Sequence, residues 1–425
     1  METPLTANIQ PGRRPPDIKA YRQAGGYRAL REAVLKMRPE EVTQAVKDAN
    51  LKGRGGAGFD AGLKWSFVPM GEKAAGPKYV AVNADEMEPG AFKDRLLMEG
   101  DPHQLIEGTA LESYAIQADV AYIFLRREYH LAARLLQQAI AEAYDSGCLG
   151  QGILGSDYSL DMHLHISGGR YMSGEETGML NAIEGRRANP RAKPPYPQVS
   201  GLWGNPTVVN NVETVCNLPH IVNNGADWFR SLSLTAEGGT KIYGASGRVR
   251  RPGTWELPMG TPLRELVEEH AGGMQEGYRL RGIIPGGAST EFLTPAQLDV
   301  KMDFASVEAA GSRLGTGTII VLDDHSCPVG MTLNLEQFFL RESCGWCTPC
   351  WGGLQYVVEL LAGIEAGAGR MEDLDTLDSL AAMLAPGHTF CALAPGAAEP
   401  LGSALRYFRE DFERHIRQQR CPWSS

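Results

Sequence analysis

The stretch "FFLRESCGWCTPCWGGLQ" (338–355) places Cys344, Cys347 and Cys350 at two-residue spacing. Three thiols so arranged bind something soft, and a tetrahedral or cubane site asks for a fourth. From about residue 333 onward four helices fit the apolar periodicity. The third carries Leu374, Leu377, Leu380 or Ala381, and Leu384 on one stripe; the last carries Leu401, Leu405, Phe408, Phe412 and Ile416. Such stripes require mutual burial, which a small helical bundle provides. Cys344 then ends the first helix, and Cys347 and Cys350 lie on the turn into the second. Cys391, in "PGHTFCALAPG" (386–396), sits in a comparable loop between the third and fourth. In an antiparallel bundle these two loops emerge at the same end, so the four sulfurs can converge.

Structural zinc usually pairs its cysteines as two separated C-x2-4-C knuckles. A compact C-x2-C-x2-C run supplies three corners of a [4Fe–4S] cubane, with the fourth thiolate arriving from elsewhere. The spacing favours the cluster, with zinc as the alternative. Pro349, Pro386 and Pro395 stiffen both loops, and nearby amides can tune the sulfurs. The other cysteines, Cys148, Cys216, Cys327 and Cys421, are scattered and read as ordinary thiols; Cys327 in "DHSCPVG" is the one most easily mistaken for a ligand.

The 425 residues allow two or three domains, and 43% hydrophobic with 22% charged content is ordinary for a soluble globular protein. A net charge of -10, without a broad Lys/Arg patch, argues against nucleic-acid binding. The basic clusters "GRRANPRAK" (185–193) and "GRVRRPG" (247–253) are short enough to be local anion sites or solvated turns. The opening residues lack the apolar core of a secretion signal, and no run approaches membrane-spanning length, so direct membrane insertion is not expected and the chain reads as cytosolic. Cysteines there should be thiols or metal ligands rather than disulfides.

Between about 25 and 235, strand-like runs "KYVAVNADE" (78–86), "DVAYIFLRRE" (119–128) and "LDMHLHISGG" (160–169) alternate with helical patterns, as in an α/β sheet. From about 240 to 325 a hairpin with a Pro-Gly turn at 252–253 comes first. A helix follows, with Thr261 as N-cap, Pro262 at its first position and Gly272 past its end. With two further strands these suggest a small β-grasp-like module.

"LKGRGGAGFDAGLKW" (51–65) contains G-x-G-x-x-G at Gly53, Gly55 and Gly58, but "PEEVTQAVKDAN" before it reads as helix, where a dinucleotide fingerprint requires a strand. What survives is that consecutive glycines let backbone amides approach a flat or anionic ligand closely. Arg54 and Lys64 add charge, and Phe59, Trp65 and Phe67 offer stacking faces. A surface loop with aromatics tucked into the core accounts for this segment equally well. "LHISGGRYMSGEETGMLNAIEG" (164–185) has strand, glycine loop and helix in order; Glu175 and Glu176 in the first turn can complement the helix dipole by themselves. Asn83, Asp85, Glu86 and Glu88 end a strand, and Asn210, Asn211 and Thr214 offer neutral partners for ribose or ribityl hydroxyls. His163 and His165 fit a half-exposed strand face, and His388 reads as a loop residue.

Six collinear segments resemble one family: "GRGGAGFDAGLKW", "NADEMEPGAFKDRLLME", "GEETGMLNAIEGRRANPRAKPPYP", "NPTVVNNVET", "ESCGWCTPC" and "TFCALAPGAAEPL". The resemblance is to the NADH-binding flavoprotein (F) subunits of bacterial respiratory complex I, and runs from about 25 to 415. It implies an α/β FMN-binding domain (25–238) after an N-terminal extension (1–24), then a β-grasp soluble-ligand-binding domain (239–327) and a C-terminal four-helix bundle (328–425). It also implies FMN, one [4Fe–4S] cluster on Cys344, Cys347, Cys350 and Cys391, and NADH as substrate. The implied NADH contacts are Gly53, Arg54, Gly55, Gly56, Ala57, Gly58, Phe59, Gly62, Phe67, Glu88, Glu176, Lys193 and Tyr196. The implied FMN contacts are Gly53, Gly55, Lys64, Asn83, Asp85, Tyr171, Gly174, Glu175, Glu176, Asn210, Asn211 and Thr214.

No side chain is expected to act as general base; Glu88 and Glu176 support orientation and flavin potential. Hydride is expected to pass from NADH to FMN, then single electrons to the cluster and on to partner subunits. Those partners are a thioredoxin-like [2Fe–2S] subunit and a large iron–sulfur subunit, in a complex at the cytoplasmic face of the inner membrane. A diaphorase subunit of a soluble NAD-linked hydrogenase or formate dehydrogenase is the alternative, and a zinc-holding scaffold a remoter one. Tyr196 replaces a common Phe, and "CWGG" replaces a charged "CREG" or "CRDG" after the third cysteine.

Overall fold

The structure is a computed structural model that describes residues 2–10, 12–71 and 76–423. The chain divides into two units, one formed by Met1–Met87, Phe92–Ile242 and Glu256–Gly260, the other by Glu88–Ala91, Tyr243–Trp255 and Thr261–Ser425.

The first unit is built on four strands, β1 (Tyr79–Ala84), β2 (Val120–Leu125), β3 (Asp161–Ile166) and β4 (Thr207–Asn211), in the order β3-β2-β1-β4. All neighbours are parallel, with Val82 opposite Ile123 on one side and Asn210 on the other. Side chains alternate between faces along a strand. Val80 and Val82 accordingly point into the larger core, while Ala81 joins Phe124, Met179, Leu180, Ile183, Leu202 and Val209 on the opposite face. A sheet covered on both sides explains why its strands read as apolar runs.

The helices that matter for the site are α1 (Pro39–Asp48), α2 (Ala61–Trp65), α3 (Lys93–Gly100), α4 (Pro102–Ile116), α5 (His130–Asp145) and α6 (Glu176–Ile183). Nearly every residue of α4 is buried, Glu107 and Glu112 included. The N-terminal segment joins this unit: the Leu5 and Thr6 amides donate to the Glu256 carboxylate at 3.0 and 2.8 Å.

A second sheet contains β5 (Thr240–Ser246), β6 (Gly253–Pro258), β7 (Leu280–Ile284) and β8 (Thr318–Asp323) in the order β6-β5-β8-β7, with β5 parallel and β7 antiparallel to β8. The expected hairpin is present. The helix after it differs from expectation: Pro262, in extended conformation, is its N-cap, and a short α-turn at Leu263–Glu265 widens into a π-helical turn at Leu266–His270.

Five helices close the chain, not four: α7 (Pro328–Glu342), α8 (Thr348–Glu365), α9 (Met371–Leu384), α10 (Leu393–Tyr407) and α11 (Arg409–Gln418). The stripe from Leu401 to Ile416 belongs to two of them. Phe408 leaves helical geometry at φ -122 and ψ 21, yet stays buried with its ring edge-on to Phe292 at 5.3 Å. Periodicity alone does not reveal a break that keeps the stripe in phase. Among the described residues no helix is long and apolar enough to cross a membrane.

Candidate functional site

In a parallel sheet, ligands gather beyond the carboxyl ends of the strands where the connections change direction. With the order β3-β2-β1-β4 that point lies between β1 and β4. A cavity of about 900 Å³ opens there. The ends of β1 and β4 contribute Asn83, Asn210 and Asn211, and the glycine loop contributes Gly53, Gly55, Ala57, Gly58 and Phe59. Lys64, Phe67, Glu176, Lys193, Tyr196 and Thr214 complete the set that the sequence singles out. Gln198, Val199 and Val209 also line the cavity and carried no sequence signal beyond lying near the others.

The loop is clamped at its base by the Gly53 amide, which donates to the Phe59 carbonyl at 2.8 Å. Gly58 sits at φ +66, left-handed backbone that favours glycine. A side chain on Gly55 would meet Asn211 Cβ at 3.0 Å, so the loop lies directly against the end of β4. Asn211 is itself fixed. Its Nδ2 donates to Asp94 at 2.6 Å, and its Oδ1 accepts from Lys93 Nζ at 3.1 Å. Beneath it Lys93 and Lys241 converge on Glu213 at 2.8 and 3.1 Å, all three fully buried. Burial would raise Glu213, but Lys241, Lys93 and Arg54 hold its carboxyl down to about 2.

Lys64 carries the most distinctive electrostatics of the cavity. Its Nζ donates to the Val209 carbonyl at 3.0 Å, and no carboxylate lies within ion-pair distance of it among the described residues. Burial lowers its pKa against the more distant pull of Glu176 and Glu112. Burial also pushes Glu112 up to about 8, despite the hydrogen bond it accepts from Asn210 at 2.7 Å. At neutral pH Glu112 is therefore largely protonated, and the cavity floor presents a cation that lacks a fixed anion.

The cavity's outer part is aromatic. Phe59, Phe67 and Tyr196 are 47%, 51% and 57% exposed, and the two phenyl rings stand 6.4 Å apart. Lys193 pairs with Glu176 and lies 3.4 Å from Glu175. Burial works against the Lys193 charge, but these carboxylates hold its pKa above the ordinary value.

Several residues implied as contacts are placed elsewhere. Arg54 is fully buried and its guanidinium donates to the Gly238 and Thr240 carbonyls at 2.7 and 3.1 Å, so it ties the loop to the chain behind it. Gly62 is a packing glycine, since a Cβ there would come within 2.7 Å of the Lys47 amide nitrogen of α1. Glu175 caps α6, accepting from the Thr177 and Gly178 amides at 2.8 and 2.7 Å, as dipole complementarity alone would have it. Glu88 belongs to the second unit, where it accepts the Ser289 amide at 2.7 Å. Gly56, Asp85, Tyr171 and Gly174 are not among the lining residues: Asp85 accepts from Ser167 Oγ at 2.9 Å, and the Gly174 carbonyl accepts from Asn83 at 2.8 Å.

The second candidate site lies at the head of the helices. Cys344 follows the end of α7, Cys347 caps α8, Cys350 is buried in the first turn of α8, and Cys391 precedes Ala392, the N-cap of α10. The Trp346 and Phe390 rings lie 5.4 Å apart, tilted by 31°, which brings the two cysteine loops side by side. Burial raises the Cys350 thiol to about 11; the Ser343 hydroxyl at 3.3 Å opposes the shift, and Cys347 and Cys344 add to it. Crowded thiols of this sort are stabilised as thiolates by bound metal. Trp346, Trp351 and Phe390 leave 50%, 45% and 56% of their surface exposed around this end.

The chain matches three family models: the Nuo51 FMN-binding domain over residues 46–220, the SLBB domain over 244–293, and the NADH-ubiquinone oxidoreductase-F iron-sulfur binding region over 330–415. It is 51% identical over 415 residues to the F subunit of the NADH-quinone oxidoreductase of Salmonella typhimurium, covering 98% of this chain and 93% of the relative. It is 52% identical over 407 residues to the second F subunit of the same enzyme in Rhizobium meliloti, covering 96% of each. Among solved structures, an NAD+-reducing [NiFe]-hydrogenase in the H2-reduced state superposes with a TM-score of 0.79 at 34% identity. That match covers 90% of this chain and 63% of the hydrogenase chain.

Proposed function

The chain belongs to the family of NADH-quinone oxidoreductase F subunits, and from that premise we propose how its residues divide the work. It is an NADH dehydrogenase subunit that carries FMN and one [4Fe–4S] cluster and acts with other subunits of its complex. We assign FMN to the inner part of the β1–β4 cavity, the dinucleotide to the aromatic outer part, and the cluster to Cys344, Cys347, Cys350 and Cys391.

The observation that carries the flavin assignment is Lys64, a half-buried cation at the cavity floor without a carboxylate at ion-pair distance among the described residues. A phosphate monoester supplies the missing anion, and the glycine loop lets its backbone amides approach. Asn83, Asn210, Asn211 and Thr214 offer short neutral side chains to a polyhydroxyl chain. When bound, FMN supplies the chemistry that the protein lacks, accepting two electrons together from a nicotinamide and releasing them singly. The protein's tasks are to hold the two planar ligands in register, to exclude water between them and to balance charge. Phe59, Phe67 and Tyr196 give the adenine a stacking surface, and the paired Lys193 and Glu176 contact the dinucleotide's polar middle. The four cysteines fit a cubane by type and by the convergence of their loops.

We further propose the division 25–238 for FMN and NADH, 239–327 as a β-grasp-like SLBB module, and 328–425 for the cluster, a reading supported by the order of the three matching family models. The partners proposed to receive electrons are a thioredoxin-like [2Fe–2S] subunit and a large iron–sulfur subunit, with the assembly peripheral at the cytoplasmic face of the inner membrane. The hydrogenase neighbour makes a diaphorase the second reading, since its match covers 90% of this chain. NADH–ferricyanide activity that depends on added FMN and disappears on flavin removal tests the proposal; activity without flavin refutes it.

A further inference from the structure

Cys327 and Cys421 are not the scattered thiols that the sequence suggests. Their sulfurs, a Glu365 carboxylate oxygen and a His415 ring nitrogen all lie within 4.8 Å of one another. Each comes from a different segment: the N-cap of α7, the last residue of α8, the core-facing side of α11, and the tail beyond α11. The three edges among Cys327, Glu365 and His415 are short and similar. Cys327 Sγ is 3.2 Å from His415 Nε2 and 3.3 Å from Glu365 Oε2, and the last two atoms are 3.1 Å apart. Around a tetrahedral zinc with ordinary bond lengths those edges span about 3.3–3.6 Å. An opening of roughly 0.3 Å would admit the ion.

Three surrounding features suit ligands rather than chance packing. His415 is fully buried, and its Nδ1 lies 2.6 Å from the Asp411 carbonyl. A proton on Nδ1 donates to that carbonyl and leaves the Nε2 lone pair directed at the cluster, the usual support of a metal-bound imidazole. Cys327 occupies an N-cap, where Ser, Thr, Asp and Asn ordinarily serve. Its sulfur accepts the Gly330 amide at 3.2 Å, a contact that suits a thiolate better than a thiol. The tail is pressed into place as well. Trp423 stacks on the His415 ring at 5.7 Å, and a Cβ on Gly367 would come within 2.1 Å of the Gln419 carbonyl.

We propose that Cys327, Glu365, His415 and Cys421 form a structural zinc site that fastens the C-terminal tail to the ends of α7, α8 and α11. Two thiolates, an imidazole and a carboxylate make a borderline-soft, four-coordinate set of the kind zinc prefers. Four protein ligands leave no open position for substrate, so the role is a clamp.

The test uses the full chain carrying its flavin and a full iron complement, so that the other four cysteines are occupied. It is incubated with zinc sulfate, gel-filtered and analysed for metals. About one zinc per chain is expected in the wild type. Cys421→Ser should lose it with iron and FMN contents unchanged, and trypsin should then cut after Arg417 and Arg420 faster than in the wild type. As a second measurement that needs no variant, a zinc chelator should produce the same faster cleavage in the wild type. Failure of the wild type to retain zinc, equal retention by Cys421→Ser, or a Cys327–Cys421 disulfide in the peptide map of the isolated protein would each overturn the proposal.

Discussion

Phe67→Ala separates binding of the dinucleotide from the chemistry that follows. Phe67 is 51% exposed and faces the cavity beside Phe59. A large aromatic side chain buries roughly 150–250 Å² when fully covered. The exposed half thus offers about 75–125 Å², worth about 2–3 kcal/mol at ~25 cal/mol per Å² if a ligand covered it entirely. Alanine substitution of a ring that stacks on a base costs about 1–3 kcal/mol. Partial cover by an adenine places the loss at about 1–2 kcal/mol, or a KM for NADH raised about 5- to 30-fold. The adenine is remote from the transferred hydride and is held equally before and during transfer, so kcat should not change. Removing a half-exposed ring should alter folding stability by only about 0.5 kcal/mol. Steady-state NADH–ferricyanide kinetics on FMN-loaded protein, with thermal unfolding as a control, measure all three. A KM within twofold of the wild type, or a fall in kcat at unchanged KM, would refute the placement of the dinucleotide.

Lys64→Met should weaken FMN retention roughly 10- to 100-fold, the worth of one hydrogen bond to a charged group, as read by fluorescence of released flavin; unchanged retention would exclude Lys64 as the phosphate partner. Glu112→Gln tests the floor electrostatics. Because burial raises the folded-state Glu112 pKa to about 8, its stability contribution is fully present below the unfolded carboxyl value and is lost as pH rises through about 8. The wild type should therefore lose on the order of a few kcal/mol across that window, and the glutamine variant should show a melting temperature that varies less between about pH 5 and 8. Identical pH profiles would show that Glu112 ionises normally. Cys391→Ala should abolish the cluster's EPR signal and lower bound iron while NADH–ferricyanide activity persists; an intact signal would remove Cys391 from the ligand set.

Local pattern made most elements legible. β1, β2, β3, α4 and α5 fall where alternation and helical spacing place them, because each buries a face set by neighbouring residues in the chain. Strand order was not legible, since the neighbour of β1 is decided by long-range packing, and with it the crevice where Asn83 and Asn211 meet. Residue type alone also could not separate contact from support. Arg54 sits in the glycine loop yet turns away to Gly238 and Thr240, and Gly62 is glycine because α1 passes close by. The kink at Phe408 keeps the apolar stripe in phase and so leaves no trace in the periodicity. Cys327 lies 38 residues from Glu365 and 88 from His415, separations that match no ligand spacing, and tertiary packing alone brings them together.

One folded chain is to hold both a flavin site and a cubane site. The test is to make the full chain anaerobically alongside its assembly companions, separate it from them, and analyse it for flavin, iron and sulfide. About one FMN and about four iron atoms per chain are predicted, with the visible bands bleached by NADH. A chain recovered under those conditions with neither flavin nor iron would contradict the account.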